Sequence, residues 1–282
     1  MITFMKYFIY IIILSRIFAL QITDLTGNIT SFSKMNADTY IGKNDRMSGE
    51  NIIGISLIQY PAHILFSEFF SQVKRRSFLF SSRIGMIDYG KLSDINGNHF
   101  SASDGIIETT IQQYKNNIQY GGSIGYAFSQ IGSYTSSLLI YNIGGSKLLF
   151  NNKLIIAISL ENNIKIIKNY SSYKNQYPIK KRLNLSYNLK YLPLNVIIDY
   201  LHGDTNSYLT LAFQANLNDT VNIYGGKKLH FLDSQFDNQY KLLNNTSIGL
   251  SFLTKKLQFN LGLQLHSASS VHYGTSLSMK FK

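Results

Sequence analysis

The stretch Leu257-Gln-Phe259-Asn-Leu261-Gly-Leu263-Gln-Leu265 places an apolar residue at every second position for nine residues. Successive side chains of an extended chain point to opposite faces, so such a stretch is a strand with one apolar face and one small or polar face. Two further segments share the pattern and the length: Leu183-Asn-Leu185-Ser-Tyr187-Asn-Leu189-Lys-Tyr191 and Leu209-Thr-Leu211-Ala-Phe213-Gln-Ala215-Asn-Leu217. A tilted strand needs about 9–11 residues to cross a bilayer, whereas strands of soluble domains run nearer 5–6. Period and length together predict strands that meet lipid on one side.

The same period predicts strands near 52–59, 63–71, 77–89, 105–114, 120–128, 134–143, 154–161, 182–191, 194–202, 207–217, 220–225, 246–254, 256–266 and 272–281. Their number is even, as in single-chain bacterial barrels. The expected fold class is therefore all-β, a transmembrane antiparallel β-barrel of about 14 strands. Segment 220–225 is short, 63–71 is irregular, and 164–168 is either a further strand or part of an extended hairpin. Long connections at 90–104, 162–181 and 226–245 alternate with tight ones at 72–76, 192–193, 218–219 and around Lys255. Outer-membrane barrels combine long outer loops with short periplasmic turns, which assigns the long set to the cell exterior. The connection 144–153, with Gly144-Gly145, is the exception and reads as a longish periplasmic turn.

Tyr60, Tyr89, Tyr114, Tyr120, Tyr191, Tyr200, Tyr224 and Tyr273 fall at predicted strand ends. Rings there form girdles at the headgroup level, although a Tyr-rich β protein places Tyr at strand ends in any case. The last strand carries Tyr273, Thr275, Leu277, Met279 and Phe281 on one face, resembling the terminal aromatic strand that barrel assembly machinery recognises.

Composition agrees with strands: the 282 residues include 20 Tyr and 18 Phe but only 3 Pro, and mean hydropathy is −0.03. Beyond the N-terminus no apolar run reaches the ~18 residues of a spanning helix, which argues against a helical membrane protein. The absence of Cys excludes a disulfide framework and thiolate metal sites. A net charge of +12 raises nucleic-acid binding. The bases, however, cluster at Lys74-Arg75-Arg76, Lys180-Lys181-Arg182, Lys227-Lys228 and Lys255-Lys256, between alternating segments rather than along one stripe, and no nucleic-acid partner is expected. Lys6, the apolar run Tyr7 to Leu14 and Ala19 read as an export signal over 1–20. Residues 21–50 are then an N-terminal arm or plug, and 51–282 the outer-membrane barrel, with membrane lipid as its surroundings.

The run Ile87-Asp-Tyr89-Gly90-Lys-Leu-Ser-Asp94-Ile-Asn-Gly97-Asn-His-Phe100-Ser-Ala-Ser103-Asp104 resembles a hairpin loop of the PorV/PorQ family, in which a strand ending Tyr-Gly leads through an acidic turn and a Gly to Phe-Ser-Ala-x-Asp. Further similarities keep the family's order: Gly121-Gly-Ser-Ile-Gly125, Ser133-Tyr134-Thr-Ser-Ser, Leu160-Glu-Asn162-Asn163, Tyr177-Pro178 and Leu192-Pro193-Leu194. The resemblance covers roughly residues 50–282 and favours the PorQ-like branch. It implies a fourteen-stranded barrel like the long-chain fatty-acid transporter, acting without enzyme chemistry or cofactor in type IX secretion. The implied partners are other secretion or surface-attachment proteins and cargo proteins with a C-terminal sorting domain. Tyr89, Gly90, Asp94, Gly97, Phe100 and Asp104 are expected to form a structural loop anchor.

Catalytic and metal readings are weaker. Leu201-His202-Gly203-Asp204 puts a His beside a carboxylate and with Asp199 suggests metal binding or acid–base work, but its place in a short outer connection reads as a solvated turn. His266, Ser267, Ser269, Ser270 and His272 contain triad residue types, yet a triad is defined by geometry and not by sequence proximity. The glycine pairs 121–122, 144–145 and 225–226 lack the strand-then-helix setting and lysine of a phosphate loop, and fit strand kinks or turns. Arg83 and Glu108 lie on neighbouring predicted strands and are expected to face the lumen or a strand end, because a charge on the lipid face at mid-bilayer costs about 2–4 kcal/mol; their neighbouring strands suggest that they line the interior as a pair. The alternative function is an outer-membrane transporter of hydrophobic small molecules, favoured by a plug at 21–50 and an apolar lumen. A soluble or surface solenoid or sandwich is the third reading.

Overall fold

The computed structural model describes residues 51–93, 97–151, 153–170, 179–203, 207–230, 245–267 and 270–281. The expected signal at 1–20 and the arm or plug at 21–50 lie outside the described residues. Fourteen strands follow in chain order: β1 (Asn51–Gln59), β2 (Leu65–Arg75), β3 (Phe78–Ser93), β4 (His99–Lys115), β5 (Ile118–Ile131), β6 (Tyr134–Leu149), β7 (Leu154–Lys168), β8 (Lys180–Asn188), β9 (Leu194–His202), β10 (Tyr208–Asn216), β11 (Val221–His230), β12 (Thr246–Leu253), β13 (Leu257–Ser267) and β14 (Ser270–Phe281). Each pairs antiparallel with its neighbour, and β14 pairs with β1 from Asn51↔Phe281 to Gln59↔Tyr273, so the sheet closes. Closure removes every free edge, which lets a sheet stand in hydrocarbon without unpaired backbone groups.

The period read from sequence becomes inside and outside. On β9, Asn195, Ile197, Asp199 and Leu201 are buried towards the lumen, while Val196, Ile198 and Tyr200 face out. The outer face continues around the barrel with Ile84, Ile107, Ile124, Leu183, Leu211, Leu250, Phe259 and Leu277, all exposed. So wide an apolar surface on a closed barrel is a surface against lipid. The same alternation divides the tyrosines expected at the headgroup level. Tyr120, Tyr200 and Tyr273 face out, whereas Tyr89 and Tyr224 are buried in the lumen and Tyr60 sits partly buried against its core; Tyr114 shares the inward face of Gln112 but is exposed at the end of β4, and Tyr191 is exposed in the β8–β9 turn.

Several connections are shorter than the sequence suggested, because strands run on beyond their apolar alternation. β3 continues to Ser93 and β4 begins at His99, so most of 90–104 is paired sheet and only 94–98 connects. Likewise 162–181 narrows to 169–179 and 226–245 to 231–245, as β7 and β11 extend. The expected periplasmic turn at 144–153 is 150–153, because Gly144-Gly145 lie within β6. A Cβ at Gly144 would stand 2.8 Å from the Ile158 carbonyl oxygen and one at Gly145 3.0 Å from that of Gln119, so glycine admits a close approach of strands there rather than a turn. The long connections 169–179 and 231–245 lie at one end, which loop length assigns to the cell exterior; the short connection 132–133 is at that end too, and the other end carries only turns of two to five residues.

Among the described residues the ladders shift register on β3–β4, twice on β6–β7 and on β13–β14, and two of these bulges turn side chains into the lumen. Tyr89 and Gly90 together oppose one residue of β4, with Gly90 at φ +72° and its N–H donated to Asp88 Oδ1 at 2.8 Å. Glu161 and Asn162 together oppose Asn142, with Asn162 at φ +58°.

Candidate functional site in the barrel lumen

The lumen of β1 to β6 has two layers. Towards the outer end, Ile58, Phe66, Ile87, Tyr89, Ala102, Ile106, Ala127, Leu138 and Ile140 form one apolar cluster, with Tyr60, Ile64, Ile131, Ile164 and Ile166 packed against it. Tyr89 Oη donates to Asp104 Oδ2 at 2.8 Å, and Ser129 links Asp104 to Tyr170. Tyr60, in the β1–β2 connection, packs edge-on against His272 with ring centroids 4.6 Å apart. Burial raises the Tyr60 phenol above its usual range, and its hydroxyl has no hydrogen-bond partner among the described residues.

On the turn side of this layer runs a polar belt. Arg83 Nε donates to Glu108 Oε2 at 2.6 Å and its guanidinium lies 3.6 Å from Glu68. Ser123 Oγ and Asn142 Nδ2 donate to the other Glu108 oxygen at 2.6 and 3.0 Å. Asn142 Oδ1 accepts the Asn162 N–H at 2.9 Å, so the bulge carries the belt onto β7. There Glu161 accepts from Arg182 Nε at 2.9 Å and from Ser159 Oγ at 2.7 Å, and Arg182 Nη1 reaches Asp199 Oδ2 at 2.8 Å. Hydrogen bonds and ion pairs thus run from β2 to β7 and from β7 to β9, the two runs meeting at the adjacent residues Asn162 and Glu161 of the bulge. Each arginine stands between carboxylates of both flanking strands, which lets two buried charges of one sign share a buried charge of the other. The remaining wall is uncharged in its middle, with Thr210, Ala212, Ser247, Ser251, Asn260 and Ser276, of which Asn260 Nδ2 donates to Ser276 Oγ at 2.8 Å.

The expected Arg83–Glu108 pair is formed, facing the lumen. Of the expected loop anchor, Tyr89 and Gly90 belong to β3, Phe100 and Asp104 to β4, and Gly97 sits in the connection at φ +80°; Asp94 lies outside the described residues. Among these five, a side-chain hydrogen bond joins Tyr89 to Asp104, inside the barrel. Asp199 and His202 separate: Asp199 faces the lumen and bonds Arg182, whereas His202 faces out and its Nδ1 pairs with Ser207 Oγ at 3.0 Å. His202 ends β9, paired with Lys181, so the turn expected from Leu201 onward begins only after it; the parity of Asp199 on the same strand turns it inward, away from His202. Among the described residues no cluster of three metal-ligating side chains forms. Sequence reading missed Arg182, Glu161 and Asp199 as one group, because Lys180-Lys181-Arg182 was read as a charge run between strands. Its signal lay in the alternation that continues inward through Asn184 and Ser186.

No protein-family model and no curated protein matches the sequence. Solved structures match over most of the chain. The toluene transporter TodX of Pseudomonas putida superimposes with a TM-score of 0.61 at 8% identity, covering 91% of this chain and 98% of that one. A TodX deltaS2 mutant, described as a monoaromatic hydrocarbon channel, gives 0.62 at 9% identity, with 83% and 91% covered. A FadL homologue of Pseudomonas aeruginosa gives 0.53 at 8% identity, with 91% and 98% covered. Closed strands, an outward apolar belt and this shared architecture make the chain a bacterial outer-membrane β-barrel with the fold of the FadL and TodX transporters.

Proposed function

We propose that the barrel is a channel for small hydrophobic molecules, which enter from the outer end. The apolar layer in its lumen carries this reading: nine buried apolar side chains line the interior of a barrel whose outside already faces lipid. A channel for ions or sugars gains nothing from such a layer, whereas an apolar solute leaving water gains about 25 cal/mol per Å² of surface covered. The hydrocarbon transporters that share the fold support it. The polar belt beneath gives the layer a floor, since a hydrocarbon crossing it would desolvate charged groups without replacing their hydrogen bonds.

Uptake of a radiolabelled monoaromatic hydrocarbon by cells with and without the protein tests the reading. Ile106→Asp and Leu138→Asp are expected to abolish protein-dependent uptake while the barrel still migrates as a folded, heat-modifiable species. Unchanged uptake in both variants contradicts it.

A second reading, a type IX secretion component of the PorV/PorQ kind, is supported by the residues from Ile87 to Asp104, whose hairpin leaves Lys91 and Leu92 exposed at the outer end. Purification from detergent-solubilised outer membranes separates the two. Recovery of translocon or surface-attachment proteins in constant ratio favours secretion, and a lone barrel carrying apolar ligand favours transport.

A further inference from the structure

The outer face of the barrel near its tight turns is patterned. Five of the six turns at that end carry a base, represented by Arg75, Lys115, Lys153, Lys190 and Lys256, and the sixth carries Asp219, the one carboxylate there among the described residues. Register concentrates the charge on β4 to β6. Lys115 is paired with Ile118 and Ile118 with Lys147, so two exposed cations flank one exposed isoleucine on the outward face. Directly paired side chains start about 5 Å apart, and lysine side chains are long enough to converge on a group lying over Ile118.

Above Ile118, towards mid-membrane, the outward positions include Gly122 on β5 and Gly145 on β6, beside Tyr120 and Ile143. With no side chain at Gly122 or Gly145, the apolar outer face between the lysines and the belt is left open beside the Tyr120 and Ile143 side chains. Cations at a headgroup level, an aromatic ring beside them and an open apolar face beneath are the parts an anionic phospholipid needs.

We infer that this face binds an anionic phospholipid of the periplasmic leaflet, with its phosphate between Lys115 and Lys147 and an acyl chain along Gly122 and Gly145. A lipid occupant fits better than a protein because the site opens sideways into the apolar belt, on the surface that faces hydrocarbon. The site is independent of what passes through the lumen.

The full chain, extracted from vesicles of phosphatidylethanolamine mixed with phosphatidylglycerol, is exchanged into mild detergent, and the lipid it retains is quantified by mass spectrometry. Retained phosphatidylglycerol is expected to exceed its share in the vesicle by about five-fold for each charge engaged. The preference should vanish in Lys115→Gln/Lys147→Gln and persist in Lys165→Gln/Lys181→Gln, whose bases lie towards the outer end. In about 1 M salt, where screening acts over about 3 Å, wild-type protein should lose it too, which serves if the first variant fails to assemble. Retention in proportion to vesicle composition overturns the proposal. So does a preference surviving in Lys115→Gln/Lys147→Gln, or one abolished by inorganic phosphate alone, which would show an ion site rather than a lipid site.

Discussion

Arg83 shows what a single lumenal residue does. It answers Glu68 and Glu108 at once, and both carboxylates are nearly fully buried. Removing one partner of a buried ion pair costs about 3–5 kcal/mol, chiefly because the other charge is left uncompensated. Arg83→Leu should therefore destabilise the barrel by that amount in urea titrations in vesicles. The triple change Glu68→Gln, Arg83→Met, Glu108→Gln should cost less than the single one, and a greater loss in the triple variant would contradict the charge account. Arg83 was legible in sequence because a charge on a strand between lipid-facing residues has only one face to occupy. Arg182 was not, since the three consecutive bases hide the alternation that sends Lys181 outward and Lys180 and Arg182 inward.

At the scale of elements, sequence revealed the strands and concealed how they end and where they bulge. Apolar alternation stops where the lipid stops, but hydrogen-bonded pairing continues, so β3 and β4 outlast their pattern and turn an expected loop into a hairpin. Bulges depend on backbone angles that an asparagine tolerates without advertising. Asn162 holds φ +58° and donates its N–H to Asn142, joining the two halves of the polar belt. Asn162→Gly should be nearly silent, whereas Asn162→Val, β-branched in a left-handed conformation, should cost about 1–3 kcal/mol and detach Glu161 from the belt. Equal stability of the two variants in urea titrations in vesicles would remove the bulge from the account. Glycines follow the same logic. Gly121→Ala, with a Cβ 2.3 Å from the Ile111 carbonyl oxygen, should be clearly worse than Gly125→Ala, whose nearest neighbour stands at 3.5 Å.

For the whole molecule, strand number, antiparallel closure and the gathering of the long connections at one end followed from period and spacing. The separation of the lumen into an apolar layer and a polar belt did not, because it depends on which inward residues of different strands share a level, and that is set by register. The inside–outside division predicts opposite responses from near neighbours. Ile107→Arg puts a cation against lipid and should cost about 2–4 kcal/mol, while Thr110→Arg, facing the lumen on the same strand, should cost less in the same unfolding assay.

The most direct measurement is photolabelling of the membrane-embedded protein with a diazirine-bearing hydrocarbon, followed by residue-level mapping. Lipid-facing Ile84, Ile107 and Ile124 will be labelled in any barrel. The account predicts additional label at Ile87, Ile106 and Leu138, in the lumen, displaced by an excess of unlabelled hydrocarbon while label on the outer face persists. Label confined to the outer face, with none at the three lumenal residues, would contradict a hydrophobic path through this barrel.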